Sequence, residues 1–228
     1  MKITEFVAPV GQHHELNQRL WEGEDLRPEV HEKLLKIASE FFDFLDIPVE
    51  VEDLIISGSQ ANFNYTPYSD LDLHLIVDYS QVQCDMEVDE LFDTKRLLWK
   101  EQHDIKIRGI PVELYVEDTM KPAVSSVYSL LSRSWIKKPD LTKISYNKQL
   151  VIDQVKKWNS LIDDALKSNN IEIMRKVKSM LKANRQQGLD SEGEFSEQNL
   201  AYKSLRNAGK IADLMTAIGK LNDRQLSL

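Results

Sequence analysis

The Gly58-Ser59 pair, ten further residues and then Asp70-Leu71-Asp72-Leu73 form the arrangement with the clearest chemical content in this 228-residue chain. Two aspartates at i and i+2 of an extended strand point to the same side, near enough to share metal ions. Such a pair suits phosphoryl and nucleotidyl transfer, where negative charge builds on phosphate oxygens. Two magnesium ions held by carboxylates then clamp both the attacking and the leaving oxygen. A third acid from a neighbouring strand would complete the cage. Glu113 is the candidate because it interrupts the otherwise apolar strand IPVELYV, with Asp104 or Glu117 in its place if the strand register differs. The Ser59 hydroxyl and the amides after it, if they open a helix, would cradle terminal phosphates. The expected catalytic and metal-holding residues are therefore Asp70, Asp72 and Glu113, and the expected phosphate contacts begin at Gly58 and Ser59.

These residues need a frame. Residues 49–57, with Val49, Val51, Leu54, Ile55 and Ile56, are rich in apolar and β-branched side chains and read as a strand that the Gly58-Ser59 pair ends. Residues 70–77, DLDLHLIV, alternate strictly, so Asp70, Asp72 and His74 share one face while Leu71, Leu73 and Leu75 share the other. Upstream, residues 27–45 place Val30, Leu34, Leu35, Ala38, Phe41, Phe42 and Leu45 at helical spacing, with Pro28 suited to the first turn. Downstream, the helical run 86–99 carries a stripe of Val88, Leu91, Phe92, Lys95 and Leu98. Two strands, 104–108 and 111–116, follow around a turn at Arg108-Gly109, with Pro111 tolerated at a strand start.

Beyond residues 137–139 the pattern becomes helical, with Trp158, Leu161, Ile162, Leu166, Ile173, Val177 and Leu181 as the buried sides. Residues 188–193, GLDSEG, read as a loop, and Ser196 with Asn199 opens the next helix, which runs up to Gly209. Lys182, Arg185, Lys203 and Arg206 gather around that loop; they either grip a triphosphate or an acceptor's phosphate, or are ordinary helix-surface charges. The predicted fold is α/β: a mixed-sheet catalytic domain over residues 1–136 and a helical domain over 137–228 that closes one side of a nucleotide cleft.

Charge follows the same division. The net value of -8 argues against a general nucleic-acid binder, but residues 1–136 hold 12 basic and 26 acidic side chains, net -14, while 137–228 hold 17 and 11, net +6. An acidic half suits cations and a basic half suits phosphates. The single cysteine, Cys84, allows no internal disulfide and no multi-thiolate zinc site within one copy. The start lacks an apolar signal core and no stretch approaches the ~18 apolar residues of a membrane helix, so a soluble, cytoplasmic protein without a membrane partner is expected.

GSQANFNYTPYSDLDLHLIV resembles the signature of the DNA polymerase beta-like nucleotidyltransferase superfamily, a Gly-Ser turn followed by an Asp-x-Asp strand. The resemblance extends over roughly residues 27–131. PVELYVED, with SLLSRSWIKKP and GLDSEGEFSEQNLAYKSLRNAGKI, is further similar to uncharacterised nucleotidyltransferases encoded by bacteriophages, which would place the protein in a host cytoplasm. The resemblance implies that Asp70 and Asp72 bind two Mg²⁺ ions, that Glu113 binds the ion activating an acceptor hydroxyl, and that Ser59 supports the leaving pyrophosphate. A nucleoside triphosphate such as ATP would be the donor, and RNA, a protein or a small molecule the acceptor. Asn62 and Asn64 stand where the family often has Arg and Gly, a departure that touches the phosphate contacts. Two other classes fit the same residues: a nucleotide-binding or toxin-neutralising module without turnover, and a metal-dependent phosphohydrolase, which the lack of a histidine-rich cluster disfavours. His74 reads as a packed strand histidine, Tyr65 and Tyr68 as loop aromatics covering a core edge, and His13-His14 as an exposed loop.

Overall fold

The computed structural model describes residues 13–82, 87–120, 125–140 and 146–227; Cys84 and Met86, the expected start of a helix, lie outside the described residues. The chain divides near residue 141 into two compact units.

In the first unit a short antiparallel pair, β1 (Trp21–Glu22) and β2 (Asp25–Leu26), leads into α1 (Pro28–Leu45). Proline fits the first helical turn because its missing N–H would have had no acceptor inside the helix. Val30, Leu34, Ala38, Phe41 and Leu45 form its buried stripe. Then come β3 (Val51–Ser57), β4 (Leu71–Val77), α2 (Val88–Gln102), β5 (Lys106–Ile107), β6 (Ile110–Asp118), β7 (Val127–Ser129) and β8 (Ser134–Lys137). One sheet orders them β5-β6-β4-β3-β7-β8, with β4 and β6 parallel and the other neighbours antiparallel.

The alternation of β4 decides how that sheet is used. Leu71, Leu73, Leu75 and Val77 are all fully buried and join Phe41, Phe92 and Trp99 in a single core. A slip of one residue would turn all four aliphatics outward, so the register is strongly specified. The same alternation leaves Asp72 and His74 on the opposite face. On α2 the buried residues are Phe92 and Trp99, whereas Leu98 of the expected stripe is 45% exposed. Trp99 sets that rotation: it lies edge-on to Phe41 and Phe44, at 5.4 and 5.2 Å between ring centroids, and its larger area outweighs a leucine's.

The second unit is helical: α3 (Lys148–Ser168), α4 (Ile171–Glu192), α5 (Glu197–Asn207) and α6 (Lys210–Leu226). Its own core includes Trp158, Ile162, Met174, Val177, Leu181, Leu200, Leu205 and Leu214. Two expectations are corrected here. Ile173 is 44% exposed and Met174 takes the buried place, because the buried stripe of α4 runs through Ile171, Met174, Val177 and Leu181. Residues 188–192 belong to α4 and not to a loop. Gly188 is buried against the following segment, where a Cβ would come 2.8 Å from the Gln198 Cβ, so close packing overrides a helix-propensity cost of about 1 kcal/mol. Ser196 caps α5 as expected, accepting from the Asn199 N–H at 3.4 Å.

The Asn170 side chain accepts from the N–H groups of Glu172 and Ile173 at 2.9 and 3.3 Å. Asn170→Ala removes both bonds and is expected to cost about 1 kcal/mol, read as a lower urea midpoint for the helical unit. Among the described residues no helix is long and apolar enough to cross a membrane.

Candidate active site

The polar face of the sheet is set by two registers. Ser57 of β3 lies opposite Asp72 of β4, and Asp72 lies opposite Glu113 of the parallel β6. The next same-face step aligns His74 with Tyr115, and the next Ile76 with Glu117. Ser57, Asp72 and Glu113 thus form a row across three adjacent strands. Asp70 stands one residue before β4 begins, at its mouth.

Beside this row the chain turns at Gly58, with φ 72°. A Cβ there would overlap Oδ2 of Asp72 and lie 3.3 Å from its Cγ. Glycine is required twice over, by the left-handed backbone and by the approach to the carboxylate. The residues after it form a single 3₁₀ turn, Ser59–Ala61. This corrects the expectation of a phosphate-binding helix: one turn lacks the aligned peptide dipoles that would draw an anion.

The turn is held from beneath. Gln60 is 1% exposed; its Oε1 accepts from Asn17 at 2.9 Å, its Nε2 donates to the Ser69 carbonyl at 3.1 Å, and its own carbonyl accepts from the Trp21 indole at 2.8 Å. The Ser126 hydroxyl donates to the Ala61 carbonyl at 2.6 Å. A buried glutamine satisfied at both ends fixes a loop more firmly than packing alone.

Glu113 is engaged on both oxygens. Lys100 of α2 pairs with Oε1, and the Tyr115 hydroxyl donates to Oε2 at 2.7 Å. Burial pushes the Glu113 carboxyl up, but the bonds from Lys100 and Tyr115 and the charges of Lys100 and Arg96 prevail and hold it below its ordinary value. Burial, the Asp72 charge and the bond to Glu113 all push the Tyr115 phenol upward, so it stays a donor. Arg96 lies over the Tyr115 ring at 5.0 Å. Among the described residues no three His, Cys, Asp or Glu side chains stand together as a ready metal cage. Asp72 and Glu113 share a row, while the Glu113 carboxylate is turned to Lys100. Asp104 is taken up with Lys106 at 2.7 Å, and Glu117 lies by His74.

Ser57, Gln60, Arg96, Lys100 and Tyr115 escape the sequence reading. Tyr115 carries a signal, since alternation along residues 110–118 puts it on the face of Glu113. Lys100 and Arg96 carry none, because their place depends on how α2 lies across β6. His13, expected in an exposed loop, stacks on Tyr65 at 3.7 Å between ring centroids. Tyr68 is 64% exposed.

In the helical unit, Arg185 donates from Nε to the Asn199 Oδ1 at 3.0 Å and lies over the Tyr202 ring at 4.6 Å. The buried Asn199 in turn donates to the Glu194 carbonyl at 2.7 Å. Lys182 and Arg206 are exposed and Lys203 half-buried.

No protein-family model matches the chain, and no curated protein matches it. Among solved structures it is similar to one titled "Structure of STING-associated CdnE c-di-GMP synthase from Capnocytophaga granulosa", at 19% identity and a TM-score of 0.23, over 87% of this chain and 67% of that one.

Proposed function

We propose that this chain is a metal-dependent nucleotidyltransferase, moving a nucleoside monophosphate from a nucleoside triphosphate to an acceptor hydroxyl with release of pyrophosphate. The carrying observation is the row of Ser57, Asp72 and Glu113, with the Gly58 backbone so near the Asp72 carboxylate that no side chain fits there. The resemblance of residues 58–77 to the polymerase beta-like signature supports it. Asp70 and Asp72 would hold Mg²⁺, with Glu113 as the third ligand. Bound there, the ions would supply positive charge at the reacting phosphate and favour ionisation of the acceptor hydroxyl. The chain's own part is placement: Gly58 and Ser59 beside the leaving pyrophosphate, and Glu113 kept ionised. Within the helical unit, Lys182, Arg185, Lys203 and Arg206 would offer positive charge to a phosphate group.

The test incubates the protein with Mg²⁺, each α-labelled nucleoside triphosphate and candidate acceptors: RNA, protein and small molecules. Label moved by wild type and not by Asp70→Ala/Asp72→Ala supports the reading and identifies the acceptor class.

The Lys100–Glu113 pair favours a second reading, a nucleotide-binding module without turnover, because the lysine occupies the carboxylate. Mg²⁺-dependent nucleotide binding without label transfer would support it. The enzyme reading makes a different prediction for Lys100→Met. Lys100 is 59% exposed, so stability falls by less than about 1 kcal/mol. Removing a competing cation worth about 1 kcal/mol lowers the Mg²⁺ concentration for half-maximal transfer by about fivefold.

A further inference from the structure

His74 lies one same-face step along β4 from Asp72 and is 7% exposed. Its Nε2 meets the Ser57 hydroxyl at 2.8 Å. Its Nδ1 faces the Glu117 carboxylate at 3.4 Å, and no hydrogen bond satisfies that buried nitrogen. Tyr115 stacks on the imidazole at 4.9 Å and 20° between ring planes, fixing the ring's orientation. The contacts follow from register: His74 pairs with Ile55 and Tyr115, so Ser57 on β3 and Glu117 on β6 are its diagonal neighbours. A carboxylate beside Nδ1 favours the tautomer with its proton there, which leaves Nε2 to accept from Ser57. A hydroxyl within reach of a base, and the base oriented by a third group, is the arrangement that makes serine a nucleophile. Ser57 is half-buried, directly precedes Gly58 and lies opposite Asp72.

We propose that Ser57 is a nucleophile toward phosphorus and takes a nucleoside monophosphate onto its own oxygen, with His74 as the base, its ring held by Tyr115 and its Nδ1 beside the Glu117 carboxylate. This rests on the nucleotidyltransferase reading for its donor. In the step, the Ser57 Oγ–Pα bond forms and the bond from Pα to the bridging oxygen breaks. The electron pair leaves with pyrophosphate, and the hydroxyl proton passes to Nε2 of His74. The product is a phosphodiester between Ser57 and the nucleoside.

Two experiments on the full chain separate this from the reading it rests on. The first needs neither nucleotide nor metal: a fluorophosphonate probe, whose P–F bond breaks as the Ser57 O–P bond forms, with peptide mapping by mass spectrometry. Labelling at Ser57 that falls by about 100-fold or more in His74→Gln supports the proposal. An unlabelled Ser57, or equal rates in wild type and His74→Gln, overturns it. Circular dichroism checks the fold of His74→Gln, and Glu117→Gln, at a half-buried position, should slow labelling if His74→Gln does not fold. The second supplies Mg²⁺ and nucleoside triphosphates and measures intact mass. A nucleotide mapped to Ser57, lost in Ser57→Ala, supports the proposal; transfer to an added acceptor with Ser57 unmodified overturns it and leaves the nucleotidyltransferase reading standing. Probe labelling of Ser57 with no nucleotide transfer of any kind supports the nucleophile and counts against that reading alone.

Discussion

Asp72→Asn is expected to lower nucleotidyl transfer by about 10³-fold while moving the thermal unfolding midpoint by only a few degrees. The substitution keeps the shape of the side chain and removes the charge. A carboxylate ligand to a catalytic cation stabilises the reacting phosphate by several kcal/mol, and about 4 kcal/mol is three decades of rate. Asp72 is half-buried on the polar face and contributes nothing to the apolar core under β4, so the fold should tolerate the change. Initial rates with α-labelled nucleoside triphosphate over a Mg²⁺ series measure it. Retention of more than about a tenth of wild-type activity at saturating Mg²⁺ would remove Asp72 from the site.

Gly58→Ala should lose both activity and stability, for separable reasons. At φ 72° and ψ -157° an alanine pays about 1–3 kcal/mol for a backbone conformation that is essentially glycine's alone. Its Cβ also meets the Asp72 carboxylate, and the Gln60 network beneath leaves the turn little room to yield. The Asp72 side chain must therefore move, and a shift near 1 Å at a reacting centre costs about 10²-fold in rate. Gly209 is the control. It has φ 75° at the start of α6 and open space where a Cβ would go. Gly209→Ala should show the cost of its own αL backbone, at ψ -3° and not -157°, in its unfolding midpoint and leave the transfer rate unchanged.

What could be read in advance depended on whether a signal was local. The alternation of residues 70–77 says in one dimension which side chains share a face, and the fully buried Leu71, Leu73, Leu75 and Val77 agree with it. The first helix was equally legible, since its stripe and its proline lie within the same 18 residues, Pro28–Leu45. The pairing of Asp72 with Glu113 is a parallel contact between strands separated by α2 and β5, and no spacing in the chain encodes it. The rotation of α2 is not legible in sequence because Leu98 fits a helical stripe as well as Trp99 does; only the aromatic pocket of Phe41 and Phe44 selects between them. Lys100 inherits its position from that choice. Residues 188–192 looked like a loop because glycine and serine weaken helix propensity, and what keeps them helical is the packing of Gly188 on Ser196 and Gln198. The His74 contacts required two registers at once and were invisible to either strand alone.

The buried amide of Gln60 has an entropic consequence. A loop that orders only when its ligand arrives gives up about 1–2 kcal/mol per residue from the binding free energy. Here Asn17 and Trp21 reach the turn from a segment remote in sequence, and Ser126 from beyond β6. Its order is therefore established when the sheet folds and not when a ligand binds. The turn can loosen only if residues 17–21, with the fully buried Leu20 and Trp21, leave the core, so its opening belongs to the unit's unfolding and not to a local fluctuation.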